Sequence, residues 1–194
     1  MANVWVVTGG IGSGKSTIRR TLGELGAVTI DADQIGHGVL KPGGAAFGAV
    51  AERWPSVVRE GRIDRAELGR IVFTDASELK DLEAITHPAI ASDIARSIAA
   101  AGDSIVVVEV SVPKDLIGVG WLHTIVADLP VEQRRERLIE RGVEPAEVDR
   151  RMSAQPSRDE WRARGRWIIS TAGTRQDVAE RVRRLWEDVI LDTR

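Results

Sequence analysis

The sequence predicts an α/β fold: a parallel five-stranded sheet with helices on both faces, a helical insertion and a helical lid. Three observations carry that reading. Short apolar runs alternate with amphipathic stretches of helical period. The first run leads straight into a glycine-rich loop that opens a helix. The chain of 194 residues is long enough to bury a core without staples and short enough for one domain.

The elements follow in order. VWVV at residues 4–7 is a continuous apolar run, as suits a strand buried on both faces. From Lys15 the period becomes helical through Ile18, Leu22 and Leu25, and Gly26 stops it. Residues 27–30 form a second strand that ends at Asp31-Ala32-Asp33. The helix after it reaches Leu40 and breaks at Pro42-Gly43-Gly44. From Phe47 to about Ala101 the apolar residues Leu68, Ile71, Val72, Leu79, Leu82 and Ile85 recur at three and four, so this stretch reads as mostly helical, with no strand-like run before Ser104. Strands follow at 105–110 and 122–129. Residues 131–164 are helical and heavily charged. A fifth strand covers 167–169, Gly173 turns the chain, and a closing helix over 177–190 runs through Val178, Val182, Leu185 and Val189. The core is therefore 1–40, 102–130 and 165–194, with a substrate subdomain at 41–101 and a lid at 131–164. Repeats and low-complexity tracts are absent.

Composition excludes several classes. A formal net charge of −2 gives no nucleic-acid footprint. No apolar run is long enough to span a bilayer, and the N-terminus lacks the pattern of a signal peptide. With no cysteine, disulfides and thiolate metal sites are impossible, which fits the cytoplasm. Lysine occurs only at Lys15, Lys41, Lys80 and Lys114, and the other basic residues are arginines, suited to planar contact with phosphate. The expected partner is a small molecule, with no nucleic acid and no membrane, and the chain is expected to be a monomer or weak homo-oligomer.

GGIGSGKST at 9–17 satisfies G-x-x-x-x-G-K-[ST], with a strand before it and a helix after it. This is the phosphate loop of a P-loop NTPase core. Its glycines let backbone N–H groups turn toward phosphate oxygens, and the helix adds its positive end. Gly10, Gly12, Ser13, Gly14, Lys15, Ser16 and Thr17 are the candidate ATP-binding residues. Lys15 reaches the β- and γ-phosphates and Ser16 sits on Mg²⁺. No lysine follows an asparagine, which argues against an Asn-Lys-x-Asp guanine reader and hence against a GTPase. Small size and the arginine-rich helical segment favour a small-molecule kinase whose lid excludes water.

Asp31 and Asp33 follow the second strand, at the carboxyl end where α/β sheets bind ligands. One of them can cap the next helix, and Asp33 is the candidate base that takes a proton from an acceptor hydroxyl. Glu109 ends an apolar strand as a Walker B acid would. It holds Mg²⁺ through water, or it is an ordinary strand-end carboxylate. Asp33 is the other acid that could reach the metal through water. Arg134, Arg135, Arg137 and Arg141 share one helix, and Arg137 and Arg141, four apart, share a face suited to a phosphate.

On these residues the chain resembles the dephospho-coenzyme A kinase family over nearly all its length. TGGIGSGKST followed by VTIDADQIGH is the most specific part; GRIDRAELGRIVF, LEAITHPAI, RLIER and RMSAQ follow. The resemblance implies transfer of the ATP γ-phosphoryl to the ribose 3′-hydroxyl of dephospho-CoA, giving coenzyme A and ADP. It implies Asp33 as base, Lys15 on the phosphates, and Arg137 and Arg141 closing over them. Asp33, His37, Arg65, His87 and Glu109 fall on the acceptor side, and Gly173 beside the nucleotide. The chain departs from the family at Glu109-Val-Ser-Val-Pro113-Lys-Asp115, where Asp-Ile-Pro-Leu-Leu-x-Glu is typical. It departs again at Ser170-Thr-Ala-Gly173, where Asp-Asn-Ser-Gly is typical, and His37 stands where arginine is common. Two alternatives remain at this level: a related kinase acting on a hydroxyl of another nucleoside- or nucleotide-like metabolite, and a non-catalytic nucleotide-binding protein.

Overall fold

The computed structural model describes residues 3–111 and 123–193. Five parallel strands form the main sheet: β1 (Asn3–Thr8), β2 (Val28–Asp31), β5 (Ile105–Glu109), β6 (Thr124–Asp128) and β7 (Trp167–Ser170). Their order is β2-β5-β1-β6-β7. Val4 pairs in register with Val106, Val6 with Thr124, and Asp31 with Glu109. Strands buried on both faces need apolar residues at every position, and β5 (IVVVE) is buried throughout. One face packs Trp5, Val7, Val107 and Ile125 against Ile18 and Leu22 of α1 (Lys15–Glu24) and Val178 and Val182 of α9 (Arg175–Leu185). The residues of the other face, including Val6, Val106, Val108 and Val126, are buried as well.

The contacts divide the chain into two compact units. One comprises residues 3–31, 98–111 and 123–193, and it holds the sheet, α1, α6 (Val131–Glu140), α7 (Pro145–Ser153), α8 (Arg158–Ala163) and α9. The other is Ala32–Ser97. It holds α2 (Ala32–Val39), α3 (Phe47–Arg53), α4 (Arg65–Val72) and most of α5 (Ala76–Ala100).

Residues 47–101 are mostly helical, as expected, but an unexpected strand pair interrupts them. Pro55 opens a short 3₁₀ turn (Pro55–Val57), and a hairpin follows, β3 (Val58–Arg59) and β4 (Arg62–Ile63). Glu60 and Gly61 close it with φ of 51° and 72°, the positive values that a two-residue primed turn requires. Pro88 lies inside α5, which runs continuously from Ala76 to Ala100. The segment 131–164 is split into three helices at Pro145 and Pro156, each at or next to a helix start. The closing helix begins at Arg175 behind a Thr174–Asp177 capping box, and after Leu185 it loosens into a π turn, Trp186–Ile190. Residues 112–122, which carry Pro113 to Asp115 and the start of the expected fourth strand, lie outside the described residues.

Asp128 closes β6 and is buried; its carboxylate accepts from Arg158 (2.8 and 2.7 Å) and Arg162 (2.7 Å) of α8. The bond from Arg158 holds the Asp128 carboxyl below the ordinary aspartate range, against the opposing effect of burial. A depressed folded value means that the unfolded chain takes up the proton first as pH falls. Stability from this group is complete above pH of about 4 and declines as pH falls through the folded value. Asp128→Asn is expected to lower stability at neutral pH by about 1–3 kcal/mol and to flatten this acid decline. Urea unfolding between neutral and acid pH measures both; an unchanged acid slope contradicts the assignment.

Candidate active site

β1 ends at Thr8 and the chain enters the loop at once. Gly9, Gly12 and Gly14 have φ of 142°, 77° and 90°, a backbone that side-chain-bearing residues rarely adopt. Gly14 is the N-cap of α1 and brings no side chain to cap it, so the positive end of the helix is left for an anion. Ser13 is buried, and among the described residues its hydroxyl has no hydrogen-bond partner. Lys15 is also buried, and its ammonium donates to the carbonyls of Gly9 (3.0 Å) and Gly10 (3.3 Å). An orphaned hydroxyl, an uncapped helix end and a buried ammonium fit a polyphosphate.

The rest of this unit holds the loop in shape. Ile11 is pinned through both backbone groups: its N–H donates to Gln155 Oε1 (2.8 Å) and its carbonyl accepts from Arg134 Nε (2.9 Å). The Arg134 guanidinium fills the space above Gly10, where an added Cβ would come within 2.3 Å of it. Burial lowers the pKa of Arg134 from the ordinary arginine value, with Asp128 opposing. The Thr171 hydroxyl donates to the Ser13 carbonyl (2.5 Å), and its side chain packs beside Gly14. Arg137 donates to the Thr171 carbonyl (2.7 Å).

Next to the loop lies an acidic site. Glu109 is 6% exposed. Its Oε1 accepts from Ser16 Oγ (2.8 Å) and its Oε2 from Arg19 Nε (2.6 Å), and Arg19 reaches on to Asp31 at 3.2 Å. The register that sets Asp31 opposite Glu109 lets one guanidinium serve both carboxylates. A hydroxyl and a carboxylate oxygen side by side suit a hard divalent cation. Among the described residues no group of three or more His, Cys, Asp or Glu could hold a metal unaided. A cation here would complete its shell with phosphate and water oxygens, as Mg²⁺ does.

The predicted residues therefore fall into two sets. Gly10, Gly12, Ser13, Gly14, Lys15, Ser16, Thr17, Glu109, Arg137, Arg141 and Gly173 lie in the unit with the sheet. Arg137 and Arg141 differ in setting: Arg137 bonds to the Thr171 carbonyl, while Arg141 is the exposed C-cap of α6. Gly173 (φ 91°) has a structural reason, since a Cβ there would lie 2.6 Å from the carboxylate of Asp177, which closes the α9 cap. Asp33, His37, Arg65 and His87 lie in the other unit. Asp33 is exposed in the first turn of α2, and His87 is half-buried within α5. His37 Nε2 meets the Arg65 guanidinium; arginine can only donate, so Nε2 accepts.

Four residues around the loop escape sequence reasoning: Arg19, Arg134, Gln155 and Thr171. Gln155 had a signal in RMSAQ and Arg19 in its place three residues after Ser16. Arg134 had none that separates it from Arg135, which pairs with Asp149 instead (2.7 Å).

Gln155→Leu removes the acceptor for the Ile11 N–H and leaves one side of the loop unheld. The expected result is a KM for ATP raised about tenfold, near the worth of one hydrogen bond, with the unfolding midpoint little changed. Steady-state kinetics with ATP varied checks it, and an unaltered KM contradicts the bracing role.

A family model described as dephospho-CoA kinase matches residues 4–177. The chain is 38% identical to the dephospho-CoA kinase of Thermobifida fusca, over 94% of each chain. It is 37% identical to that of Geobacter sulfurreducens, over 95% of this chain and 97% of the other. Among solved structures, TT1252 from Thermus thermophilus matches with a TM-score of 0.84 at 29% identity, over 98% of this chain and 97% of that one. The dephospho-CoA kinase from Campylobacter jejuni matches at 0.72 and 24% identity over the whole of both chains. A shikimate kinase from Acinetobacter baumannii matches at 0.52 and 19%, over 100% and 96%; these last two speak for the fold alone. The matched span runs from β1 through the phosphate loop, both acidic strand ends and the arginine-bearing helices to the start of α9, and on that span the chain belongs to the dephospho-CoA kinase family.

Proposed function

We propose that the protein transfers the γ-phosphoryl of ATP to the ribose 3′-hydroxyl of dephospho-CoA, giving coenzyme A and ADP. The observation that carries this reading is a braced phosphate loop, with Lys15 at its mouth and the Ser16–Glu109 oxygen pair beside it, in a member of this family.

The loop's N–H groups and Lys15 hold the β- and γ-phosphates. Ser16 and Glu109 are the residues that would hold Mg²⁺, which when bound neutralises phosphate oxygens. The acceptor oxygen forms a bond to the γ-phosphorus as the bond from that phosphorus to the β–γ bridging oxygen breaks, and ADP departs. Asp33 takes the hydroxyl proton. Its support is its place two residues beyond the carboxyl end of β2, in the first turn of α2. Arg137 and Arg141 spread the charge of the transferring group from the lid at 131–164, and His37, together with Arg65 and His87 of the subdomain at 41–101, holds the acceptor. Among the described residues no helix is long and apolar enough to cross a membrane. The protein works in the cytoplasm on a small molecule, as a monomer or weak homo-oligomer.

Incubation with Mg-ATP and a panel of dephospho-CoA, adenosine and AMP, with products read by mass, tests the reading. Phosphorylation of dephospho-CoA at the 3′ position is the expected result. Product from another acceptor alone replaces the substrate, and bound ATP without product removes the catalytic reading. Lys15→Ala is expected to abolish turnover in a folded protein. Asp33→Asn is expected to lower kcat by about 10²-fold or more, and a near-native kcat contradicts its role as base.

A further inference from the structure

The Ala32–Ser97 unit carries a cavity of about 460 Å³. Three segments build it. The end of α2 and the turn after it give His37, Lys41 and Pro42; the hairpin gives Arg62 and Ile63; the first residue of α4 gives Arg65. Among the described residues no acidic side chain lines it.

That composition stands apart from the rest of the unit. Its four other arginines each find a carboxylate: Arg53 pairs with Glu78 and Asp81, Arg59 with Asp64, Arg70 with Glu67, and Arg96 with Asp93. Among the described residues no carboxylate pairs with Lys41, Arg62 or Arg65, and Arg65 instead meets the ring of His37. Three cations on the wall of one cavity repel one another, and a bound anion would relieve the repulsion.

The backbone that presents them is tightly specified. Arg59 and Arg62 face each other across the hairpin, yet only Arg59 has an acid partner. Glu60 accepts a left-handed backbone to close that turn, a cost that proteins retain where the geometry matters. On the other side, Lys41 N donates to Gly38 O (3.0 Å) and Gly44 N to Lys41 O (2.8 Å). Only glycine fits at 44, because a Cβ there would lie 2.4 Å from the Val39 carbonyl.

The geometry points to an anion subsite in this cavity, one that takes the diphosphate joining the adenosine and pantetheine halves of the acceptor. It rests on the reading of dephospho-CoA as acceptor given above. Arg62 and Arg65 offer planar forks to the phosphate oxygens and Lys41 a point charge. The volume is of small-molecule size, and Pro42 and Ile63 leave apolar wall for the groups that flank the diphosphate. Inorganic diphosphate shares this chemistry and serves as a minimal probe.

Two measurements on the full chain test it. In the first, dephospho-CoA is varied at saturating Mg-ATP for the wild type, Lys41→Gln, Arg62→Gln and Arg59→Gln. Each of the first two substitutions is expected to raise KM for dephospho-CoA about tenfold or more, the worth of a charge-assisted contact, with kcat and the KM for ATP within about twofold. Arg59→Gln, which removes the same charge from the same hairpin, is expected to change neither. Equal effects of Arg59→Gln and Arg62→Gln, or no effect of Lys41→Gln and Arg62→Gln, overturn the subsite. In the second, inorganic diphosphate is titrated by calorimetry into protein saturated with ADP. Binding by the wild type that weakens about tenfold in Arg62→Gln supports the subsite; no binding, or equal binding by both, overturns it. A wild type that leaves dephospho-CoA unphosphorylated refutes the proposed acceptor, and the diphosphate titration then decides the cavity by itself.

Discussion

A loop whose purpose is to present backbone N–H groups cannot hold itself in place. Its glycines have no side chains to pack, and each costs more entropy to order than any other residue. Everything around the loop from Gly9 to Gly14 answers that constraint. Ile11 is held on one side by Gln155 and on the other by Arg134. Ser13 is held through its carbonyl by Thr171, whose own N–H is tied to the end of β6 at Asp128 (2.8 Å). The bracing residues come from the far end of the chain, so the loop takes its shape only once α6, the link after α7 and the end of β7 are in place. This explains why small changes far from the loop in sequence can reach it directly.

The sheet supplies a second ordering. β2, β5 and β6 each end on a carboxylate, at Asp31, Glu109 and Asp128. Each acid sits where a parallel sheet opens its binding edge, and each is met by arginine. The outcomes differ because the arginines come from different places. Arg19 comes from α1 and bridges Glu109 and Asp31, so the helix that follows the loop is tied to its acidic neighbours. Arg158 and Arg162 come from α8 and fasten that helix to β6.

What the sequence could disclose follows from the range of each interaction. Buried parallel strands are continuous apolar runs, and the phosphate loop is a contiguous motif, so both are legible within a few residues. The hairpin at Val58–Ile63 is too short to show a period of two, and a helical pattern on either side hid it. The four arginines of α6 are chemically identical in sequence. Only the fold separates Arg134, buried on the loop, from Arg135, paired with Asp149, from Arg137, on a carbonyl, and from Arg141, exposed at the helix end. Thr171 stands in the segment where the chain departs from Asp-Asn-Ser-Gly. In the fold that threonine is a brace for the loop.

The partners chosen by these cations also bear on what the loop can bind. Lys15 bonds to the carbonyls of Gly9 and Gly10, Arg134 to that of Ile11, and Arg137 to that of Thr171. A carbonyl satisfies a donor without cancelling its charge, whereas a carboxylate would cancel it and would also repel a phosphate. Arg19, by contrast, is spent on Glu109 and Asp31. Around the loop the fold thus orders Arg134 and Arg137 on neutral acceptors, and it places Glu109 beside Ser16, where a divalent cation can mediate between the acid and the phosphates. A protein that merely needed a stable turn here would gain more from ordinary ion pairs. The arrangement makes sense as a device whose counter-charge is the nucleotide.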